Sequence, residues 1–168
     1  MNDIKIKTCC FTGHRPEKLN MPKEKIKEKL TRAIKKAIDD GFETFISGMA
    51  RGIDMWSAEI VLEEKKNNPG IKLVCASPFE GFEKSWSYDT KEKYQSILDE
   101  ADEVKFVCPH YSKSCFHIRN KYMVDNSQRV IAAYTGESGG TKNTVIYAEK
   151  KGIEVCNIFG EDYEYFSY

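Results

Sequence analysis

Two patterns of hydrophobic and polar positions alternate along the chain. Short apolar or β-branched runs, such as FETFIS at residues 42–47, are followed by longer segments in which apolar residues recur every three or four positions. The clearest of these segments is 22–41, whose shared apolar face is formed by Ile26, Leu30, Ile34 and Ala37. The alternation predicts strands and helices in turn, from a strand at residues 4–13 to a last strand at residues 153–159.

Strands that alternate with helices of this length are typical of βαβ units, in which helices cover both faces of a mostly parallel sheet. We therefore predict an α/β, Rossmann-like, doubly wound fold that forms one domain over residues 1–168. Ligands of such sheets bind beyond the carboxyl ends of the strands. Function is therefore expected in the loops that lead from strand to helix.

Charge and hydropathy exclude some classes of protein. Lys plus Arg and Asp plus Glu both number 26, so the chain lacks the basic excess that binds phosphate backbones without regard to sequence. No segment approaches the roughly 20 apolar residues of a membrane span, and the first residues lack the apolar run of a signal peptide. We expect a cytoplasmic protein with no membrane partner.

The six cysteines are predicted to be reduced thiols, because most of them lie in apolar runs of a chain without a secretory signal. Cys108 and His110, and likewise Cys115 and His117, form two Cys-x-His pairs that offer four ligands for a metal. Zinc sites of this ligand type usually have longer spacings within each pair. We therefore predict no metal site, with a zinc site as the alternative.

Three predicted strand-to-helix loops combine glycines with side chains that suit an anion. They are TGHRP at residues 12–16, SGMARGID at residues 47–54 and TGESGGTKNT at residues 135–144. Glycine lets the backbone approach a ligand, and the helix that follows presents unpaired N–H groups and a positive dipole end to a phosphate. The candidate ligand-binding residues in these loops are Gly13, His14, Arg15, Gly48, Arg51, Gly52, Asp54, Gly139, Gly140 and Thr141.

Arg119 and Asn120 are further candidates, because they lie near the start of a predicted helix and can reach the same edge of the sheet. Each of these features also has a purely structural alternative. A glycine turn is ordinary between a strand and a helix. Asp54 either caps a helix or accepts a hydrogen bond from a ribose hydroxyl, and Arg119 and Asn120 also fit an exposed helix surface.

Two blocks of the sequence resemble a known family. SGMARGID resembles the SGxARGID signature of the DprA/Smf DNA-processing proteins, and the segment from FHIRN at residue 116 to IEV at residue 155 resembles their later block. Together with TGHRP and the length of the chain, these blocks are similar to the YpsA-like branch of the SLOG group in that Rossmann-like superfamily. The resemblance implies a nucleotide or nucleotide-derived ligand, ADP-ribose-like or dinucleotide-like, bound by the candidate residues above.

The sequence departs from two other relatives of this superfamily. DprA proteins bind single-stranded DNA but usually carry flanking domains and a basic surface. The related cytokinin-activating phosphoribohydrolases use a PGGxGTxxE motif with a catalytic glutamate. Here the matching loop is ESGGTKNT, with Ser138 in place of the proline and Asn143 and Thr144 around the glutamate's position.

Three hypotheses follow for function. The first is a nucleotide-binding sensor or regulator, without any other cofactor and with no catalytic residue assigned. The second is an enzyme that cleaves the N-glycosidic bond of a nucleotide. The third is a protein that binds single-stranded nucleic acid. A homodimer is the expected oligomer, because symmetric dimers are the commonest soluble assemblies.

Overall fold

The computed structural model describes residues 7–160, in which six strands alternate with five α-helices. The strands are β1 (Lys7–Gly13), β2 (Phe42–Ser47), β3 (Lys72–Ser77), β4 (Glu103–Phe106), β5 (Arg129–Ala133) and β6 (Glu154–Asn157). The helices are α1 (Lys23–Asp39), α2 (Ile53–Asn67), α3 (Tyr88–Glu100), α4 (Cys115–Asp125) and α5 (Gly140–Lys150). The predicted start of the first strand, at residues 4–6, lies outside the described residues, as does the aromatic tail beyond residue 160.

All six strands form one parallel sheet in the order β4-β3-β2-β1-β5-β6. From β1 the chain proceeds through β2 and β3 to β4 at one edge, and then crosses to β5 on the other side of β1. The predicted doubly wound, Rossmann-like fold is therefore confirmed. The direction of winding reverses between β1 and β5, and this switch point is where sheets of this kind bind ligands.

The two faces of the sheet have separate cores. Helices α1, α2 and α3 pack on one face over a large buried cluster that includes Phe11, Phe45 and Leu73. Helices α4 and α5 pack on the opposite face over a smaller cluster that includes Val130. The four inner strands are covered on both faces and are mostly buried, as in β5, where every residue is buried, whereas every residue of the edge strand β4 is exposed.

Helix α1 shows how the sequence pattern determines these elements. Its buried residues recur at helical spacing, as predicted, and it begins directly after Pro22. Proline suits a helix start because its fixed φ matches the first turn and its missing N–H would have no helical partner there. A short 3-10 turn at Pro16–Lys18, which the apolar pattern did not indicate, connects β1 to this helix.

Candidate ligand-binding site

The loops after β1 and β5 meet at the switch point of the sheet. The backbone N–H of His14 donates to the carbonyl of Ala133 at 3.1 Å, which extends the β1–β5 pairing by one residue. The His14 ring lies 5.5 Å from the ring of Tyr134. Asn157 holds Tyr134 by accepting from its N–H at 3.1 Å and donating to its carbonyl at 2.8 Å. Three strands thus fix the position of His14.

His14 carries a buried polar atom that no other described residue satisfies. The residue is only 6% exposed, and its Nε2 has no hydrogen-bond partner among residues 7–160. Burial lowers the pKa of the imidazole below its ordinary value of 6.5, although the charge of Glu137 acts in the opposite direction. The ring is therefore neutral at pH 7, with one nitrogen that can accept a hydrogen bond and one that can donate. Leaving such an atom unpaired costs about 1–3 kcal/mol.

The loop after β5 leads to an open helix N-terminus. Gly139 adopts a φ of 140°, a conformation that residues with side chains rarely adopt, and directly precedes α5. A methyl group added at Gly139 or Gly140 would meet no atom within 4 Å among the described residues. Thr141 is buried, and the hydroxyl of Thr144 donates to the Gly140 carbonyl at 2.9 Å. The first N–H groups of α5 can therefore receive an anion without steric hindrance.

The loop after β2, residues 47–54, is held by hydrogen bonds between its own side chains and backbone. The Ser47 hydroxyl accepts from the N–H of Met49 at 3.2 Å and donates to the carbonyl of Asp54 at 2.7 Å. The Asp54 carboxylate accepts from the N–H of Ala50 at 3.3 Å. Met49 is fully buried with a φ of 63°, which is unusual for a residue with a side chain. These bonds give the loop a fixed shape.

Arg119 connects α4 to this loop, 71 residues away in sequence. Its guanidinium donates to the Gly48 carbonyl through Nη1 and to Asn120 Oδ1 through Nε at 2.9 Å. Arg119 is 4% exposed and lies near the buried Asp54. Burial raises the pKa of Asp54 and lowers that of Arg119, and each charge opposes the shift of the other. The structure therefore brings Arg119, Asn120, Gly48 and Asp54 together.

Two glycines allow the loops after β1 and β2 to pack against each other. A Cβ at Gly13 would lie 2.4 Å from the Ile53 side chain, at the start of α2. Gly52 has a φ of 92°, and a Cβ there would lie 2.7 Å from Pro16. Close packing is thus a sufficient reason for both glycines. Gly52 at the start of α2 is buried, whereas Gly139 and Gly140 at the start of α5 are exposed.

The two predicted arginines of these loops are both exposed, but they differ in their surroundings. Arg15 follows His14 and precedes the 3-10 turn. The Arg51 guanidinium lies over the Trp86 ring, 5.3 Å from its centroid. The twelve predicted site residues therefore form two neighbouring parts: the switch-point loops with His14, Arg15 and the start of α5, and the loop at residues 47–54 with Arg119 and Asn120.

A group of aromatic side chains at the same edge of the sheet was missed by sequence analysis. We call it the aromatic cluster and define it by its ring contacts: it comprises Phe79, Phe82, Trp86, Tyr111 and Phe116. Its members come from the loops after β3 and β4 and from the start of α4. The only sequence signal was the spacing of aromatic residues in FEGFEKSW, since the remaining contacts join distant segments.

Within residues 7–160, no three His, Cys, Asp or Glu side chains are placed so that they could hold a metal ion. Cys108 and Cys115 of the two Cys-x-His pairs are buried thiols, whereas His110 and His117 are exposed. Burial also raises the pKa of Cys10 and that of Cys75 to about 12, which keeps these thiols protonated. In the same part of the chain, no helix combines the length and the apolar character needed to cross a bilayer.

Solved structures with a similar fold include two DNA processing proteins. DprA from Streptococcus pneumoniae superposes with a TM-score of 0.64 at 19% identity, over 90% of this chain and 50% of that protein. DprA from Helicobacter pylori, whose structure concerns its single-stranded DNA binding mode, superposes with a TM-score of 0.60 at 18% identity, over 96% of this chain and 73% of that protein. This chain thus spans only half the length of the first of them, and at these identities the likeness shows the fold alone.

Sequence comparison finds closer relatives. UPF0398 proteins from Bacillus thuringiensis (strain Al Hakam) and Bacillus cereus (strain Q1) are each 31% identical over 160 residues, covering 90% of this chain and 87% of the relative. The model of the YspA SLOG family, also named YpsA, matches residues 9–157. The chain therefore belongs to the YspA SLOG family.

Proposed function

We propose that this chain is a cytoplasmic nucleotide-binding sensor or regulator, which binds a nucleotide or a derivative such as ADP-ribose or a dinucleotide at the switch point of the sheet. The observation that carries the proposal is the buried Nε2 of His14, which has no partner among the described residues and lies between the loops after β1 and β5. A polar atom of a bound ligand would remove the cost of leaving it unpaired.

The phosphate of the ligand belongs at the start of α5 in this proposal. The N-terminus of a helix attracts anions through its free N–H groups and its dipole, and Gly139 and Gly140 leave space there. The exposed Arg15 follows His14 on the opposite side of the switch point and can neutralise a phosphate charge. Hydrogen bonds within the loop at residues 47–54 fix its shape, so its role in this proposal is to hold Arg51 and Arg119 in place.

A change of charge at Gly140 tests this assignment. Gly140 is exposed and has room for a side chain, so Gly140→Glu places a carboxylate at the proposed phosphate position without disturbing the core. Gly140→Gln is the matched control, because it adds the same volume without the charge. Thermal-shift screening of mononucleotides, ADP-ribose, NAD and cyclic nucleotides identifies a ligand first, since a ligand that binds only the folded protein raises its Tm.

We expect Gly140→Glu to weaken binding of the identified ligand at least tenfold more than Gly140→Gln does, measured by isothermal titration calorimetry. His14→Phe, which keeps an aromatic ring but removes both nitrogens, should also weaken it. Equal affinity of the Glu and Gln variants would overturn the phosphate assignment. Failure of every nucleotide in the screen to raise the Tm would overturn the proposed function.

The same mixtures also test the enzymatic alternative, in which the ligand loses its base. One carboxylate at this edge of the sheet favours that alternative: Glu83, in the loop after β3, has a buried Oε2 without a partner among the described residues. Burial raises the pKa of the neighbouring Tyr94 to about 12, and the Glu83 charge adds to the increase. Chromatography that finds free base with the wild type, and none with Glu83→Gln, would identify an N-glycosidase rather than a sensor.

A further inference from the structure

The aromatic cluster is built around Phe79, in the loop after β3. The Phe79 ring lies 5.8 Å from the rings of Phe82 and Tyr111 and 6.4 Å from the ring of Phe116. All three contacts are close to perpendicular, with interplanar angles of 79°, 78° and 68°. Edge-to-face pairs of this kind are favourable, and they hold the rings in fixed orientations.

Part of this cluster faces solvent. Tyr111 is 61% exposed and Phe116 is 38% exposed, although both contact Phe79. Trp86, at the other end of the cluster, is almost fully buried and contacts Phe82 at 5.0 Å and Tyr94 at 5.4 Å. The inner rings thus hold the two outer rings in place while leaving their aromatic surface accessible to a ligand.

The cluster is continuous with the loop at residues 47–54. The Arg51 guanidinium lies over the Trp86 ring, so a residue of the loop after β2 contacts the aromatic cluster directly. The loops after β2, β3 and β4 therefore share one surface at the carboxyl edge of the sheet, beside the switch-point loops after β1 and β5. A ligand whose phosphate lies at the switch point would extend along this edge.

The two exposed rings lie on a basic segment, whereas the loop after β3 that carries Phe79 and Phe82 contains Glu80 and Glu83 as well as Lys84. Residues 107–118, which contribute Tyr111 and Phe116, include Lys113, His110 and His117 but neither Asp nor Glu. Every nucleobase presents a flat π face, which stacks on aromatic side chains whichever base it is. A nucleotide combines such a base with a phosphate, and the basic side chains of Lys113 and Arg51 beside the cluster suit such an anionic ligand better than an apolar peptide.

From these observations we propose that the aromatic cluster is the base-binding part of the nucleotide site, with the base stacked on Tyr111 and Phe116. This inference rests on the proposed function, because it assigns the base of the ligand whose phosphate was placed at the switch point. It assigns the residues by which the site selects compounds that carry a nucleobase over sugar phosphates that lack one.

The test compares ligands with and without a base. Isothermal titration calorimetry is carried out with ribose 5-phosphate, the four common ribonucleoside 5′-monophosphates and ADP-ribose, on the wild type, Tyr111→Ala and Phe116→Ala. Both variants should fold, since the side chains removed are exposed, and circular dichroism melting checks this. Tyr88→Ala is the matched control: Tyr88 is 72% exposed and hydrogen bonds to Glu92 on α3, outside the aromatic cluster.

We expect Tyr111→Ala and Phe116→Ala each to weaken binding of the best nucleotide about 5- to 100-fold, the usual effect of removing a stacked aromatic side chain. Their affinity for ribose 5-phosphate should remain that of the wild type, and Tyr88→Ala should change neither affinity. Tyr111→Phe should retain nucleotide binding, because stacking needs the ring and not the hydroxyl.

Three results would overturn the inference, and they separate it from the proposed function. If the wild type binds ribose 5-phosphate and nucleotides equally tightly, the base makes no contact, but the phosphate site stands. If nucleotides are preferred but both alanine variants bind them as the wild type does, the base lies elsewhere. If oligothymidylate binds and no mononucleotide or ADP-ribose does, the rings serve single-stranded nucleic acid, and the proposed function fails as well.

Discussion

Gly48 leaves room for two buried side chains that reach the loop after β2 from different helices. A Cβ built at this position would lie 2.9 Å from the Arg119 guanidinium carbon and 2.9 Å from Asp54 Oδ2. Both side chains are buried, and the Gly48 carbonyl accepts a hydrogen bond from Arg119. A side chain here would therefore displace two buried side chains of opposite charge.

We expect Gly48→Ala to lower the free energy of unfolding by about 1–3 kcal/mol, the usual cost of added volume in a packed interior. Gly70→Ala is the matched control, because a Cβ there meets no atom within 4 Å among the described residues and the residue lies in an exposed turn. Its stability should stay within about 0.5 kcal/mol of the wild type. Urea denaturation of the three proteins measures the difference, and equal midpoints for both variants would contradict the packing argument.

The sequence identified the unusual glycines but could not say why each is there. A side chain at Gly48 would collide with Arg119, and one at Gly52 would collide with Pro16, whereas the space beside Gly139 and Gly140 is open. The partners that distinguish these cases lie far away along the chain, and periodicity carries no information about them. The prediction that all of these residues bind a ligand remains a prediction, with the best physical support at the start of α5.

At the scale of elements, Arg129 connects β5 to three others: the end of α1, β6 and β2. It begins β5, and its guanidinium pairs with Asp40 after α1 at 2.9 Å and with Glu154 in β6 at 3.0 Å. The guanidinium carbon also lies 4.5 Å from the centre of the Phe42 ring in β2. The hydrogen bond from Arg129 is the main reason that the pKa of Asp40 lies below its ordinary value of 3.8.

This shift predicts how stability depends on pH. Because the folded state lowers the pKa of Asp40, the carboxylate contributes stability above pH 3.8, and the contribution is lost as the pH falls through the lower, folded-state value. Asp40→Asn should therefore lower the free energy of unfolding by about 1 kcal/mol at pH 7, since the side chain is partly exposed, and by less at pH 3.

Asp39→Asn is the control for this experiment. This substitution removes the same charge from the same helix end, but at a residue that is exposed. It should change stability by less than about 0.5 kcal/mol at both pH values. Urea denaturation at pH 7 and pH 3 gives the four differences. If Asp40→Asn lowered the free energy of unfolding by the same amount at both pH values, the ion pair between Asp40 and Arg129 would not be the source of the stabilisation.

The elements themselves were largely predictable. Helical spacing in α1 and the apolar run of β2 gave their type and their ends to within a few residues, because burial on one or two faces leaves a period in the sequence. Arg119 was expected at the same edge as the glycine loops, and the structure places it on Gly48. The aromatic cluster was not predictable, since it depends on contacts among three segments whose relative positions only the sheet order determines.

At the scale of the whole molecule, the order and parallel direction of the strands bring the strand-to-helix loops to one edge of the sheet. Winding in two directions from β1 brings the loops after β1 and β5 together, and the parallel strands place the loops after β2, β3 and β4 on the same side. Along this edge, open space beside Gly139 and Gly140 at the start of α5 is followed by buried polar groups and then by exposed aromatic rings. Such a sequence of environments suits a molecule that has a phosphate at one end and a base at the other.

The balance of charge then distinguishes a nucleotide ligand from a nucleic acid. With 26 basic and 26 acidic residues, the protein has no general attraction for a phosphate backbone, so affinity must come from local contacts. We expect the affinity of the best ligand of the thermal-shift screen to fall less than about fivefold between 50 and 200 mM NaCl, because only one or two phosphates are neutralised. A chain that contacted six or more phosphates would lose affinity by about 100-fold or more over the same range.

Calorimetry with the small ligand and fluorescence anisotropy with labelled oligothymidylate measure the two salt dependences. Tight oligothymidylate binding with a steep loss in salt would mean that a local basic surface outweighs the neutral total and that the DprA-like activity is retained.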